Sequence, residues 1–289
     1  MNSSFIGQTI GGCTIRDFLG QGGGGMVFLG KHPKFGDSVV LKILTKEHLD
    51  NEQVRKRFER EIAMSVELTH PNIVQVFQAS ADEENYYILM EYIDGNDIQM
   101  LMETKGVFSV SDATKIIIQV SDALAFAHSK QIIHRDIKPS NILVDKSGAA
   151  KLCDFGLAKD LKVQTNLTCT GMVLGTPNFM SPEQWFGAKD LTSQSDIFSL
   201  GATFYYMITG SKPFEGDDAS AIMSNSLFGA PPSPKDKVKG VPDDLSNIIE
   251  KMLARELENR YVTATQVSDE LKKSLEKNKK GFFGKLFGK

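Results

Sequence analysis

The chain has 289 residues, 41% of them hydrophobic and 24% charged, with a net charge of −3. That is enough material to bury a sizeable core in two lobes or domains. The mild acidity gives no electrostatic reason to expect a nucleic-acid partner. Cys13, Cys153 and Cys169 lie far apart and form no Cys-x-x-Cys pair, which points to a reducing, cytoplasmic compartment rather than to a disulfide framework or a zinc site. Met1-Asn2-Ser3-Ser4 carries no basic and apolar leader, and no run reaches the ~18 apolar residues of a membrane span.

Taken in chain order, the first feature is Gly20-Gln21-Gly22-Gly23-Gly24-Gly25-Met26-Val27. Glycines let backbone amides approach a phosphate without Cβ clashes. A dinucleotide-binding turn would open into a helix, whereas Met26-Val27-Phe28-Leu29 is β-branched and apolar and predicts a second strand. The near match to a P-loop fails because His32-Pro33 follows Lys31 where Ser or Thr is needed. A strand, glycine loop and strand folding over a nucleotide fits best, against the alternative of a merely flexible loop.

Ser38 to Leu44 is a short apolar run carrying Lys42. Alone, that lysine reads as an edge-strand surface residue. From Glu52 to Leu68, Val54, Phe58, Ile62 and Leu68 mark one helical face, and Glu61 falls on it. A carboxylate on a buried stripe needs a partner, and Lys42 is the natural one. His70-Pro71-Asn72 ends the helix, with the histidine in a structural role. Tyr86 to Ile93 predicts a strand running into Asp94-Gly95-Asn96-Asp97. From Ile98 the pattern turns helical. Lys115 to Ser129 is amphipathic, with Ile116, Ile117, Val120, Leu124 and Ala127 on one side.

Next comes His134-Arg135-Asp136-Ile137-Lys138-Pro139-Ser140-Asn141, flanked by apolar residues, then a turn at Asp145-Lys146-Ser147-Gly148 and a run ending at Asp154-Phe155-Gly156. Folded as an antiparallel hairpin about Ser147, this brings Asp136, Lys138, Asn141 and Asp154 to one end. Two carboxylates, an amide oxygen and a lysine at one rim suit Mg²⁺ and phosphate.

In order and spacing, these stretches resemble the His-Arg-Asp-x-x-x-x-Asn loop and Asp-Phe-Gly hairpin of the eukaryotic-like (Hanks-type) serine/threonine protein kinases. The wording from Gly175-Thr176-Pro177 to Ser181-Pro182-Glu183-Gln184 resembles the bacterial branch. The resemblance covers roughly residues 11–270. It implies an α+β, two-lobed fold: a small antiparallel-sheet N-lobe with one main helix (about 11–92), a hinge (91–97) and a larger, mostly helical C-lobe (about 98–270).

It also implies ATP and Mg²⁺ between the lobes, with Mn²⁺ an alternative, and protein Ser or Thr hydroxyls as substrates. Asp136 would accept or orient the hydroxyl proton, and Lys138 would stabilise the γ-phosphate. Asn141 and Asp154 would hold the metal, and Lys42 with Glu61 would place the α- and β-phosphates. Leu19, Gly20, Gln21, Gly22, Gly23, Gly24, Gly25, Met26, Val27, Val40, Met90, Glu91, Ile93 and Leu143 would surround the nucleotide. Adenine would bond backbone groups at Glu91 and Ile93, with Met90 at the back. Asp97 would meet the ribose, unless it is a solvated loop acid. Two departures stand out: Gly24 where the family carries a bulky loop tip, and Val40 where it often has alanine.

Leu157 to Met180 is a long polar stretch without periodicity, usually a sign of function or disorder. By resemblance it is an activation segment with Thr168 and Thr170 as phosphosites, a phosphate there pairing with Arg135; ordinary loop threonines are the alternative. Asp196 to Ile208 is apolar nearly all round and too short to span a membrane, so it predicts a central buried helix. Asp196 is expected to cap that helix and hold the catalytic-loop backbone. Arg260 would pair with Glu183, although both could be surface charges.

Beyond 270, seven lysines against Glu276 give residues 271–289 a net +6 and leave −9 for residues 1–270. Phe282, Phe283, Leu286 and Phe287 recur at helical spacing, while Gly281, Gly284 and Gly288 weaken a helix there. Such a basic amphipathic tail suits an anionic membrane surface or a partner groove, against a frayed, solvated end. Whether the chain pairs with a second copy stays open. The rival classes are a pseudokinase that binds ATP without turnover and a small-molecule kinase of related fold. The first would normally lack Lys42, Asp136 or Asp154, and the second the long segment before Ser181-Pro182-Glu183.

Overall fold

Strand alternation decides which residues face the cleft. The computed structural model describes residues 5–22, 25–44, 65–81, 86–155, 177–187 and 191–287. Six antiparallel strands form the N-lobe sheet: β1 (Thr9–Ile10), β2 (Cys13–Gly22), β3 (Gly25–His32), β4 (Gly36–Leu44), β5 (Val76–Ala81) and β6 (Tyr86–Glu91), in the order β1-β2-β3-β4-β6-β5. Successive side chains alternate faces. Val39, Leu41 and Ile43 therefore join Ile15, Phe28 and Leu89 on one face. Val40 and Leu44 join Val76, Ile88 and Met90 on the other, and Leu143 and Cys153 of the second lobe pack there too. Lys42 pairs with Ile88 and Val27 across the sheet, which puts it on this second, cleft-facing side.

The expected glycine hairpin is present, with Gly22 opposite Gly25. Gly25 has φ +131°, and a Cβ there would lie 2.0 Å from the Ile43 carbonyl oxygen, so this position needs glycine for local packing.

A second sheet, β7 (Gly95–Asp97), β8 (Ile142–Asp145) and β9 (Ala150–Leu152), opens the C-lobe. The described helices are α1 (Ile98–Lys105), α2 (Val110–Ser129), α3 (Ser193–Thr209), α4 (Ala219–Phe228), α5 (Pro234–Lys237), α6 (Asp243–Met252) and α7 (Ala264–Phe287). α2 starts five residues before the expected Lys115, because the Ser109 side chain accepts from the Asp112 N–H and caps it there. α3 is the central buried helix that its all-round apolarity predicts: Ile197, Phe198, Leu200, Phe204, Tyr205 and Met207 are fully buried.

One expectation is corrected. Asp196 does not cap α3; Thr192 does, with its hydroxyl accepting from the Gln194 N–H. The helix begins one turn earlier than the apolar run, since its first turn is polar. Gly281 and Gly284, expected to weaken a helix, lie within α7, which continues to Phe287. Its inner face is fixed earlier by buried Val267, Leu271 and Ser274, and glycine costs a helix only about 1 kcal/mol. α7 is continuous across position 270.

The lobes are tied away from the cleft as well. The Asn72 amide donates to Gln119 Oε1 (3.0 Å) and to the Ala150 carbonyl (2.8 Å). The Asn72 carbonyl accepts from Leu152 N–H, and Val74 N–H donates to the Leu152 carbonyl, both at 2.9 Å. At the hinge, Lys151 Nζ reaches Glu91 Oε2 at 2.9 Å. His70 is structural, accepting from the Asn72 N–H and stacking on Phe126.

Candidate active site

The site is built on the β8–β9 hairpin. Ile142 faces Leu152, Leu143 faces Lys151 and Val144 faces Ala150. The Asp145 carboxylate shapes the turn by accepting from the Ser147 and Ala149 N–H groups. Cys153 N–H donates to the Asn141 carbonyl at 3.0 Å, which sets Asn141 beside Asp154.

The loop before β8 is held from below. Buried Asp196 accepts from the His134 N–H and the Arg135 N–H, each at 2.8 Å, and from His128 Nε2 at 2.8 Å. His134 Nδ1 accepts the Asp136 N–H, so its Nε2 is the donor to the Cys153 carbonyl at 2.8 Å. Arg135 and Asp154 both have positive φ, +68° and +62°. Non-glycine residues in that region mark positions that the surroundings over-determine, and these cluster at functional sites.

At the rim, Lys138 Nζ lies 2.7 Å from Asp136 Oδ2. Asn141 Nδ2 donates to the Asp136 carbonyl at 2.7 Å and to Asp136 Oδ2 at 3.3 Å. Lys42 Nζ crosses from the N-lobe to Asp154 Oδ1 at 2.8 Å. Burial alone would raise the Asp154 carboxyl, but the Lys42 ammonium more than offsets this and its pKa lies below the ordinary value. Burial likewise disfavours the Lys42 cation, and the Asp154 charge reverses that, so the lysine's pKa is raised. Burial pushes the Cys153 thiol far up, so it stays neutral and is not a nucleophile.

Structure and sequence can be compared residue by residue. Val40, Met90, Ile93, Leu143 and Cys153 meet in one apolar cluster against β4 and β6. Met90 and Phe155 share a recess at its back. Glu91 N–H is already donated to the Gln75 carbonyl at 2.9 Å. Gly95 N–H donates to the Ile93 carbonyl at 2.9 Å. Leu19, Gly20, Gln21 and Val27 lie on the glycine hairpin, with Leu19 47% exposed. Met26 is corrected as a side-chain contact: it pairs with Ile43 and packs on the opposite sheet face, because one residue's shift along a strand reverses the face. Asp97 caps α1 through Oδ1 to the Met100 N–H at 2.9 Å. Arg260 meets Glu183 at 2.9 Å with its guanidinium fully buried. Glu61, Gly23, Gly24, Thr168 and Thr170 lie outside the described residues.

Sequence reasoning missed the polar links of Asn72, Gln119 and Lys151, which join positions dozens of residues apart and leave no local signal. It also missed Gln184, whose signal was legible: Ser181-Pro182-Glu183-Gln184 is a capping-box spacing.

A carboxylate with a lysine and an amide beside it, next to an aspartate that a lysine reaches from across the cleft, is a constellation that phosphoryl-transfer enzymes use. The protein kinase domain family matches residues 13–271, and the chain belongs to that family. Within it, the chain is similar to bacterial serine/threonine kinases. It is 37% identical over 268 residues to the serine/threonine-protein kinase PrkC of Bacillus subtilis, covering 92% of this chain and 41% of that one. It is 34% identical over 261 residues to the serine/threonine-protein kinase PknB of Mycobacterium leprae, covering 89% and 42%. The chain thus spans well under half the length of these relatives. Among solved structures it resembles the PknI kinase domain of Mycobacterium tuberculosis, with a TM-score of 0.74 and 26% identity, over 92% of this chain and 97% of that one.

Proposed function

We propose that the chain is a serine/threonine kinase domain that transfers the γ-phosphate of ATP to Ser or Thr hydroxyls of proteins. The observation that carries this reading is the convergence of Asp136, Lys138 and Asn141 with Lys42 and Asp154 at one rim of the cleft. Asp136 would take or orient the hydroxyl proton. Lys138 stands where it can meet charge on the transferred phosphate. The apolar slot at Val40, Met90, Ile93 and Leu143 would take adenine, and half-exposed Leu19 would cover it. Asp97 keeps a carboxylate near the expected ribose position.

The donor set fits a hard divalent cation. The Asn141 nitrogen is spent on Asp136, so its amide oxygen is the atom that would meet a cation, and Asp154 binds Lys42 through Oδ1. Few protein ligands plus phosphates is the arrangement Mg²⁺ prefers; Mn²⁺ suits the same oxygens. A bound ion would neutralise charge on the transferred group.

Thr168 and Thr170 are the proposed autophosphorylation sites. The basic end of α7 is the proposed contact with anionic membrane, on a domain that otherwise works in the cytoplasm. Among the described residues, no helix is long and apolar enough to cross a membrane.

The test is direct. Purified protein with Mg-ATP is expected to gain phosphate at Thr168 or Thr170 and to modify a generic basic protein, and Asp136→Asn to abolish both. Wild type that neither gains phosphate by mass spectrometry nor modifies the added protein would overturn the reading.

A further inference from the structure

The peptide bond that leads from Arg135 into Asp136 is gripped at both of its polar atoms. Its carbonyl oxygen accepts from Gln184 Nε2 at 2.8 Å. Its N–H, on Asp136, is donated to His134 Nδ1 at 3.2 Å. Arg135 has a left-handed φ of +68°, which a residue with a Cβ holds where its neighbours impose it. Asp196 fixes its N–H and Gln184 fixes its carbonyl. The Gln184 side chain is doubly engaged, for its Oε1 also accepts the Ser181 N–H at 3.0 Å. A neutral carboxamide supplies the acceptor and the donor at once. Gln184 is 8% exposed, so water is a poor substitute.

We propose that Gln184 is a positioning residue for Asp136: its carboxamide locks the Arg135–Asp136 peptide plane to Ser181, the start of the turn that follows residues 156–176. The direction of the catalytic carboxylate then depends on the seating of that turn. Gln184 itself touches no substrate; it acts through the Arg135 carbonyl. The proposal rests on the kinase reading above.

Two variants test it. Gln184→Glu keeps an acceptor for the Ser181 N–H but sets an oxygen against the Arg135 carbonyl. Gln184→Met keeps the length and removes both bonds. Nucleotide-binding sites are titrated in each preparation, and kcat for a generic basic protein is expressed per site, with KM for ATP alongside. We expect kcat per site to fall by more than about fivefold in both variants while KM for ATP stays within about twofold. A packing role alone would lower the number of sites and leave kcat per site unchanged. If Gln184→Glu does not fold, Gln184→Met decides. A folded variant with a smaller fall, or a KM for ATP that rises as kcat drops, overturns the proposal. So does a failure of both variants to bind nucleotide, which would make Gln184 a folding residue. Wild type without transfer would instead bring down the kinase reading beneath it.

Discussion

Lys42 and Asp154 are 112 residues apart in sequence, and their charged atoms lie 2.8 Å apart across the cleft. The lysine side chain is 10% exposed and the carboxylate 27%. Each keeps the other charged where burial would discharge it. Lys42→Met should therefore raise the Asp154 carboxyl pKa, since the strongest influence opposing burial is then gone. It should lower kcat/KM for phosphate transfer by at least about 100-fold. Steady-state kinetics over a pH series checks this; a variant within tenfold of wild type, as an order-of-magnitude limit, would refute the role given to the pair.

Lys138 donates to Asp136 Oδ2 at 2.7 Å, and its proposed role is to steady that carboxylate and meet the transferred phosphate. Lys138→Met is expected to lower kcat by about 10²–10³-fold and to leave KM for ATP nearly unchanged. An equal rise in KM would assign the lysine to nucleotide binding instead.

The Glu183–Arg260 pair should govern acid stability. Burial pushes the Glu183 carboxyl up, but the Arg260 hydrogen bond and charge more than offset this, and its pKa falls below the usual 4.5. A carboxylate depressed in the folded state contributes fully above its unfolded pKa, and the contribution is lost as pH falls through the lower, folded value. Arg260 is also bonded to the carbonyls of Ala254, Gln194 and Arg255 and lies over the Phe198 ring. Glu183→Gln thus leaves a buried cation without its counter-charge. It should cost about 3 kcal/mol at neutral pH, with the gap to wild type closing as pH drops. Urea unfolding from about pH 7 to pH 3 measures it; a gap that stays constant would contradict the assignment.

The tail calls for a truncation chosen from the structure. Leu271 and Ser274 are buried, and Lys272 is bonded to both oxygens of Asp122. Cutting at 271 would damage the core, so the informative cut removes 279–289. Loss of that piece should abolish sedimentation with anionic liposomes and leave the thermal midpoint within about 3 °C. Equal sedimentation of both forms would sink the membrane proposal.

Much of the site was legible because it is local. His134 to Asn141 and the run to Asp154 sit on one hairpin, where a turn such as Asp145 to Gly148 fixes register from sequence alone. β3 and β4 could be read for their apolar runs, but strand alternation and pairing were needed to set Lys42 and Val27 on one face and Met26 on the other. Asp97 reads either way in the sequence, as a ribose contact or as a loop acid before a helix; the structure adds that Oδ1 accepts the Met100 N–H, and the ribose contact stays a proposal. Asn72, Gln119 and Gln75 were silent. Their partners are backbone groups and side chains brought close by packing, and isolated polar residues announce no such geometry.

Leu152 belongs to two sheets of bonding at once. One edge of its strand pairs with Ile142; its other edge exchanges hydrogen bonds with Asn72 and Val74 of the N-lobe. Asp154 follows two residues later. Asp154, the proposed metal ligand, is thus mounted beside the strand that joins the lobes, where a turn of one lobe against the other would displace it little. Opening the cleft to release nucleotide would swing Lys42 and the glycine hairpin through an arc while Asn141 and Asp154 keep their spacing. The ion-binding half of the site would survive each cycle intact, and the phosphate-gripping half would be rebuilt every time.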